Sequence, residues 1–264
     1  RACVRVVGTR MQVDFSGTSA QVAGNVNTVR AVAQSATWYC IRLLGGEDVP
    51  VNDGCFAAIE VVVPPGSLLN AHFPAAVAVG NTETGQRVVD VVIGALGKAL
   101  PGRMPAASQG SMNNVTIGIG GKVYYETIGG GHGGGPAGNG VSGRHSHMTN
   151  TRNTPVEALE RAYPLRVLAY HLRVNSGGRG THSGGDGIVR AYEALERATA
   201  TVNSERRRVQ PYGAGGADGG RTGENRLVTG DGRSEVLGSK VTVTLNPGDC
   251  LIIETPGGGG WHDA

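Results

Sequence analysis

The chain has 264 residues, 39% of them hydrophobic and 17% charged, with a net charge of +3 and 5% aromatics. That balance describes a globular protein with a sizeable core, and it excludes a strongly basic nucleic-acid binder or an aromatic stacking platform. No apolar run approaches the roughly 20 residues that a membrane-spanning helix needs, and four scattered cysteines without a CxxC pair fit a reducing, cytoplasmic setting better than a disulfide framework.

In chain order, Val4 to Val7 and Met11 to Phe15 read as two strands around Gly8-Thr9-Arg10, a hairpin. The chain opens on Arg1 inside this strand-like segment, as expected of a fragment, a processed chain or an incomplete sequence. From Asn27, an N-cap candidate, apolar residues fall at Val29, Val32, Ala33, Ala36, Cys40 and Leu43. That is one helical face, stopped by Gly45-Gly46. Ile59 to Val63 is a β-branched run closed by Pro64-Pro65-Gly66, hence a strand and a turn. A second helix is predicted from Gln86 to Leu100, with Val88, Val89, Val92, Ile93, Leu96 and Leu100 along one stripe. Gly94 and Gly97 within it point to a close packing contact.

Val115 to Ile119 and Lys122 to Ile128 flank Gly120-Gly121, a strong hairpin signal. Thr154-Pro155-Val156-Glu157 offers a capping threonine, a first-turn proline and a glutamate three residues on, so a short helix should run to Tyr163-Pro164. Beyond it, Leu165 to Val174, Gly187 to Leu195, Thr199 to Asn203, Lys240 to Leu245 and Cys250 to Glu254 are strand candidates. They are separated by turn chemistry at Asn175 to Gly178, Asp231-Gly232 and Asn246 to Asp249. The expected class is therefore α+β, with a mixed, helix-containing part over residues 1–164 and a β-rich part over 165–264.

Between the hairpin and the short helix lies the most unusual stretch. Nine of the fifteen positions from Gly129 to Gly143 are glycine, and Arg144, His145, His147, Asn150, Thr151 and Arg152 follow at once. Glycine loses more backbone entropy on folding than any other residue, so such a run in an ordered chain marks backbone in close approach to something, while a mobile linker is the plain alternative. Gly129, Gly131 and Gly134 match G-x-G-x-x-G after a strand, but no periodic helix follows and the phosphate-loop lysine is missing, so a backbone nest for an anion, helped by Arg144 or Arg152, is the better expectation. His145 and His147 would share a face if extended, yet two imidazoles do not make a metal site, and His132, Glu126 and His182 join them only under an assumed fold. Ser108, Ser111 and Cys55 sit in no activating motif.

Eight segments carry more information than their periodicity: VDFSGTSAQVAGNVN, PVNDGCFAAIEVVVPPGSLLN, ASQGSMNN, YYETIGGGHGGG, HSHMTNTRNTPVEALERAYPLRV, SGGDGIVRAY, ERRRVQPYG and the terminal GDCLIIETPGGGGW. In order and along nearly the whole chain, they resemble the hydantoinase B family, which includes the B component of N-methylhydantoinase, the C-terminal part of 5-oxoprolinase and the large subunits of acetone-type carboxylases. The resemblance implies the C-terminal portion of a B-type component, inactive alone, in a multi-subunit ATP-dependent enzyme. An A-type partner would use the ATP, and the B part would handle the activated intermediate. The N-terminal half of the B component would be a further partner and would hold a divalent metal outside this chain, so no metal ligand carries over. The expected reaction is ring opening of a cyclic amide of the hydantoin or 5-oxoproline type. Ketone carboxylation and a noncatalytic scaffold are the alternatives.

By position in the matching segments, the resemblance nominates His145, His147 and Arg152 as catalytic candidates. It nominates Gln109, Gly110, Asn113, Glu126, Gly130, Gly131, Asn150 and Thr151 as substrate-binding candidates, with the glycine amides holding an oxyanion.

Overall fold

The structure, a computed structural model, describes residues 1–45 and 50–262. It contains few helices and three sheets, an α+β fold as expected. Two compact units divide between Met104 and Pro105. The boundary thus lies well before residue 164, because the Val115–Ile128 hairpin pairs with a strand near residue 200 and belongs with the later β elements.

In the first unit, strands β1 (Cys3–Val7) and β2 (Arg10–Asp14) form the expected hairpin, with Gly8 at φ +59° in its two-residue turn. β3 (Ile59–Val62) joins β2 in parallel, after helix α1 (Arg30–Gly45) and the short helix α2 (Asp53–Phe56). Helix α3 (Gly85–Ala99) follows a π-helical turn at Gly80–Thr84, buries Val88, Val89, Val92, Ile93 and Leu96, and packs on α1. Asn27 does not cap α1. Its amide is buried and used instead to tie down the preceding loop, accepting from the Val22 N–H and donating to the carbonyls of Val22, Gly24 and Ala76. Gly46, the second glycine of the expected stop, lies outside the described residues.

The second unit is built from two antiparallel sheets that share one core. The first, in the order β11-β8-β4-β5, comprises β4 (Asn114–Ile119), β5 (Lys122–Thr127), β8 (Ala198–Asn203) and β11 (Lys240–Leu245). The second, in the order β10-β9-β12-β7-β6, comprises β6 (Leu165–Arg173), β7 (Gly187–Ala194), β9 (Glu224–Val228), β10 (Ser234–Leu237) and β12 (Cys250–Glu254). Val115, Ile117 and Val202 from one sheet meet Ile188, Tyr192, Leu251 and Ile253 from the other. Period-two alternation places those residues inward, and their burial is the main favourable term for this unit. Gly120 and Gly121, at φ +57° and +70°, make the tight turn that joins β4 to β5.

Two details depart from the sequence expectation. Helix α4 (Val156–Ala162) is capped at Pro155 with no side-chain cap, and the Thr154 N–H, which a capping box would give to Glu157, donates to the Glu126 carboxylate instead. β9 and β10 form a hairpin that alternation did not reveal, since the polar residues Glu224, Asn225, Arg226, Ser234 and Glu235 dilute the signal. The Asp231-Gly232 turn between them was legible.

Candidate functional site

The glycine stretch is neither a linker nor an open nest. It leaves β5 and threads between residues 106–109, 176–185 and the terminal 256–260 glycines, exchanging lateral backbone hydrogen bonds with each. Gly130 donates to Arg144, Gly131 to Pro256, Gly134 to Gly259 and Gly135 to Gly138, while the Gly133 N–H reaches Ser108 Oγ at 3.1 Å. The neighbouring backbones lie so close that a Cβ on Gly131 would overlap the Gly185 carbonyl. Glycine is required here by close approach of other chain segments. The amides of Gly130 and Gly131, expected to hold an oxyanion, are committed to the protein itself. No helix opens directly from the stretch, which removes the dinucleotide reading of its glycine spacing.

Gln109 and Asn113 are fully buried and knit this bundle to the sheets. Asn113, at φ +49°, donates from Nδ2 to Gln109 Oε1 at 2.7 Å and accepts from Arg207 Nη1 on Oδ1 at 2.6 Å. Arg207 also reaches Asn225 Oδ1 at 2.7 Å. Gly110, at φ +61°, turns the backbone between the two amides. Ser111 is enclosed as well, its Oγ accepting from the N–H groups of Asn113 and Glu205. These partnered groups form a framework, as buried polar groups must to avoid a desolvation cost of about 1–3 kcal/mol each.

Glu126, at the end of β5, is buried too. Its Oε2 accepts from Tyr192 OH at 2.6 Å and lies 3.3 Å from Arg190 Nη2, and its Oε1 accepts from the Thr154 N–H at 2.8 Å. Arg190 is 0% exposed, and the Tyr170 ring covers its guanidinium at 4.1 Å. Burial drives the Tyr192 phenol well above its ordinary range, with the Glu126 charge adding to the effect, so the phenol stays protonated and donates to the carboxylate. Arg190 and Tyr192 were not singled out from the sequence. The signal was present: β7 alternation puts Arg190 in the inward row with Ile188, Tyr192 and Ala194, and an inward charge in a strand marks a built polar site.

The remaining candidates lie nearer the surface. His145 Nε2 meets Thr151 Oγ1 at 3.0 Å, and Thr151 Oγ1 meets Thr127 Oγ1 at 2.6 Å. His145 Nδ1 is enclosed and has no hydrogen-bond partner among the described residues. Burial holds this imidazole below the ordinary histidine value, while Glu126 pulls it up and His132 pushes it down. Asn150, Thr151, Arg152 and Arg144 are exposed. His147 sits at φ +55°, so the extended geometry that would have put it on one face with His145 is broken. His132 donates from Nε2 to the His145 carbonyl at 2.8 Å, and His182 from Nδ1 to the Gly135 carbonyl at 2.6 Å. Among the described residues no three His, Cys, Asp or Glu side chains come together as a cation site.

The arrangement therefore separates the sequence candidates into two sets. Gln109, Gly110, Asn113, Glu126, Gly130 and Gly131 form the framework, while Asn150, Thr151 and Arg152 are exposed, with His145 and His147 partly buried next to them in the chain.

The sequence model described as Hydantoinase B/oxoprolinase matches residues 1–264. 5-Oxoprolinase 1 of Arabidopsis thaliana is 48% identical over 248 residues, an alignment that covers 94% of this chain and 19% of that protein. A protein of Pseudomonas sp. (strain NS671) named as a D-/L-hydantoinase component is 29% identical over 280 residues, covering 98% of this chain and 45% of that one. Among solved structures, the ATP-dependent caprolactamase from Pseudomonas jessenii has a TM-score of 0.87 at 26% identity, covering 99% of this chain and 48% of its own. Acetone carboxylase in its nucleotide-free form, with a TM-score of 0.82 at 14% identity, shares the fold, covering 98% of this chain and 40% of its own. This chain thus spans less than half the length of each of these proteins.

Proposed function

This chain belongs to the hydantoinase B/oxoprolinase family, and we propose that it is the C-terminal portion of a B-type component in an ATP-dependent cyclic amide hydrolase. The observation that carries this reading is the match over residues 1–264 together with relatives named as 5-oxoprolinases and a hydantoinase component. The 26% identity to a caprolactamase supports ring-opening hydrolysis as the reaction class over ketone carboxylation. The rest of the enzyme, an A-type component that uses ATP and the N-terminal half of the B component, lies on other segments or chains. In the same proposal a divalent metal, where the enzyme uses one, is held on those segments; among the described residues no three His, Cys, Asp or Glu side chains come together as a cation site.

In this reading the accessible residues act on an intermediate that ATP has activated. Opening a cyclic amide with water requires a base for the water proton and an acid for the departing nitrogen. We assign both roles to His145: burial keeps it neutral at physiological pH, and Nδ1, enclosed here and without a partner among the described residues, serves once the substrate or the rest of the enzyme uncovers it. Thr151 orients the ring through Nε2. Arg152, exposed beside it, pairs with a carbonyl or carboxylate oxygen of the substrate, with Asn150 and His147 lining the approach. The glycine amides take no part, since the framework consumes them.

Native mass spectrometry of the complex from its source, with metal analysis on the same sample, tests the assembly. Co-purification with an A-type component, the other B half and a metal is expected, and a chain that runs alone would favour the scaffold reading. In the reconstituted enzyme, His145→Ala should lose about 10²–10⁴-fold in kcat, the usual weight of one general acid–base group. Wild-type turnover in both His145→Ala and Arg152→Ala would sink the assignment.

A further inference from the structure

A fully buried ion pair is an expensive way to fill a core. Replacing such a pair with well-packed apolar residues is often neutral or stabilising, so Arg190 facing Glu126 inside the second unit needs another reason. Its hydrogen bonding is not even complete, since Arg190 Nη1 has no partner among the described residues.

We propose that Glu126, Arg190 and Tyr192 form a buried positioning unit that fixes the 151–154 segment and, through Thr151, the ring of His145. The inference rests on the reading of His145 as the proton-transfer group.

The geometry connects these residues step by step. Thr154 is held on both sides of its backbone by the two members of the pair: its N–H donates to Glu126 Oε1 at 2.8 Å, and its carbonyl accepts from Arg190 Nη2 at 3.5 Å. Asn153 is held next, donating from Nδ2 to the Thr127 carbonyl at 2.9 Å and accepting on Oδ1 from Tyr170 OH at 3.0 Å. Tyr170 is the same ring that covers the Arg190 guanidinium. Thr151 then stands between Thr127 Oγ1 at 2.6 Å and His145 Nε2 at 3.0 Å. Glu126 and Thr127 are consecutive at the end of β5, so one strand end anchors the whole segment. Tyr192 locks the carboxylate by donating to Oε2 while accepting from Arg190 Nε at 3.1 Å. An apolar trio would seal the core equally well but would leave the Thr154 peptide and its neighbours unheld.

The groups that act on His145 are Glu126 on β5 and His132 in the glycine stretch, with Arg190 and Tyr192 on β7 held against Glu126. Arg144 precedes His145 in the chain and is exposed.

The test uses the assembled enzyme carrying Glu126→Gln or Tyr192→Phe. Diethyl pyrocarbonate modification of His145, followed by peptide mass spectrometry against pH, reads the ring without reference to turnover, and kcat and KM are measured over the same pH range. A positioning unit predicts that the His145 midpoint moves down in Glu126→Gln, where the carboxylate charge is gone, that the rate of His145 modification rises in Tyr192→Phe, where the charge pair stays but its lock is lost, and that kcat falls more than KM changes in both. If the midpoint moves and the kcat profile does not, the positioning unit stands and the role of His145 in proton transfer falls. If both variants leave the midpoint and reactivity of His145 as in wild type and lose only thermal stability, the unit is merely structural and the proposal is overturned. Should Glu126→Gln fail to assemble, Tyr192→Phe, which keeps the charge pair, decides alone.

Discussion

His145 is held below its ordinary pKa by burial, and that has a consequence for stability. A histidine kept neutral in the fold binds fewer protons than it does unfolded, so its contribution is complete above the unfolded value of about 6.5 and is lost as pH falls from there through the lower folded value. Thermal melts should therefore show a smaller drop in Tm between neutral and mildly acidic pH for His145→Gln than for the wild type. Gly131 offers a second test at this scale. A methyl group there would overlap the Gly185 carbonyl and meet Gly258 backbone, so Gly131→Ala should cost about 3 kcal/mol or more, at or beyond the upper end of overpacking penalties. Gly24 has nothing within reach of a Cβ, and Gly24→Ala should stay within about 0.5 kcal/mol on the same denaturation curve.

Among the elements, α3 keeps its predicted stripe but not the reason expected for one of its glycines. A Cβ on Gly97 would lie 3.5 Å from Met104 Cβ, an ordinary contact with no close backbone approach. Gly97→Ala should accordingly stabilise the protein by about 0.5–1 kcal/mol through helix propensity, read as a higher denaturant midpoint with an unchanged m-value. A midpoint that falls would instead reveal packing at this face. The hairpin of β4 and β5 behaves as its Gly-Gly turn requires, and its strand end supplies Glu126 and Thr127 to the candidate site. Helix α4 shows a tertiary partner in place of a local one: the Thr154 N–H, which the capping-box pattern assigns to Glu157, is taken by a carboxylate from β5.

For the whole molecule, the core cluster of the second unit runs from Val115 to Ile253 and draws on no residue before Pro105. The glycine bundle and every candidate site residue belong to the same unit. Residues 105–262 expressed alone should thus unfold cooperatively, with a single transition by circular dichroism and fluorescence. A non-cooperative melt would show that the unit depends on the rest of the chain. No helix among the described residues is long and apolar enough to cross a membrane.

The sequence by itself determined the α+β class, nearly every strand and helix, and the family, because periodicity, turn residues and extended segment wording are local properties of the chain. It nominated residues between Gln109 and Arg152 for a site, but it did not distinguish framework from accessible residue there. Gln109, Asn113 and Glu126 read as donors and acceptors for a ligand, and only the packed structure shows them consumed by Arg207, Tyr192, Arg190 and the Thr154 peptide. The glycine run read as backbone waiting for an anion, and the tertiary structure filled its hydrogen bonds with residues more than a hundred positions away, such as Gly134 with Gly259. Burial and partner choice are set by segments distant in sequence, and no local pattern records them. Tertiary packing therefore decided which polar groups serve the fold and which, like His145 Nδ1, have no partner among the described residues.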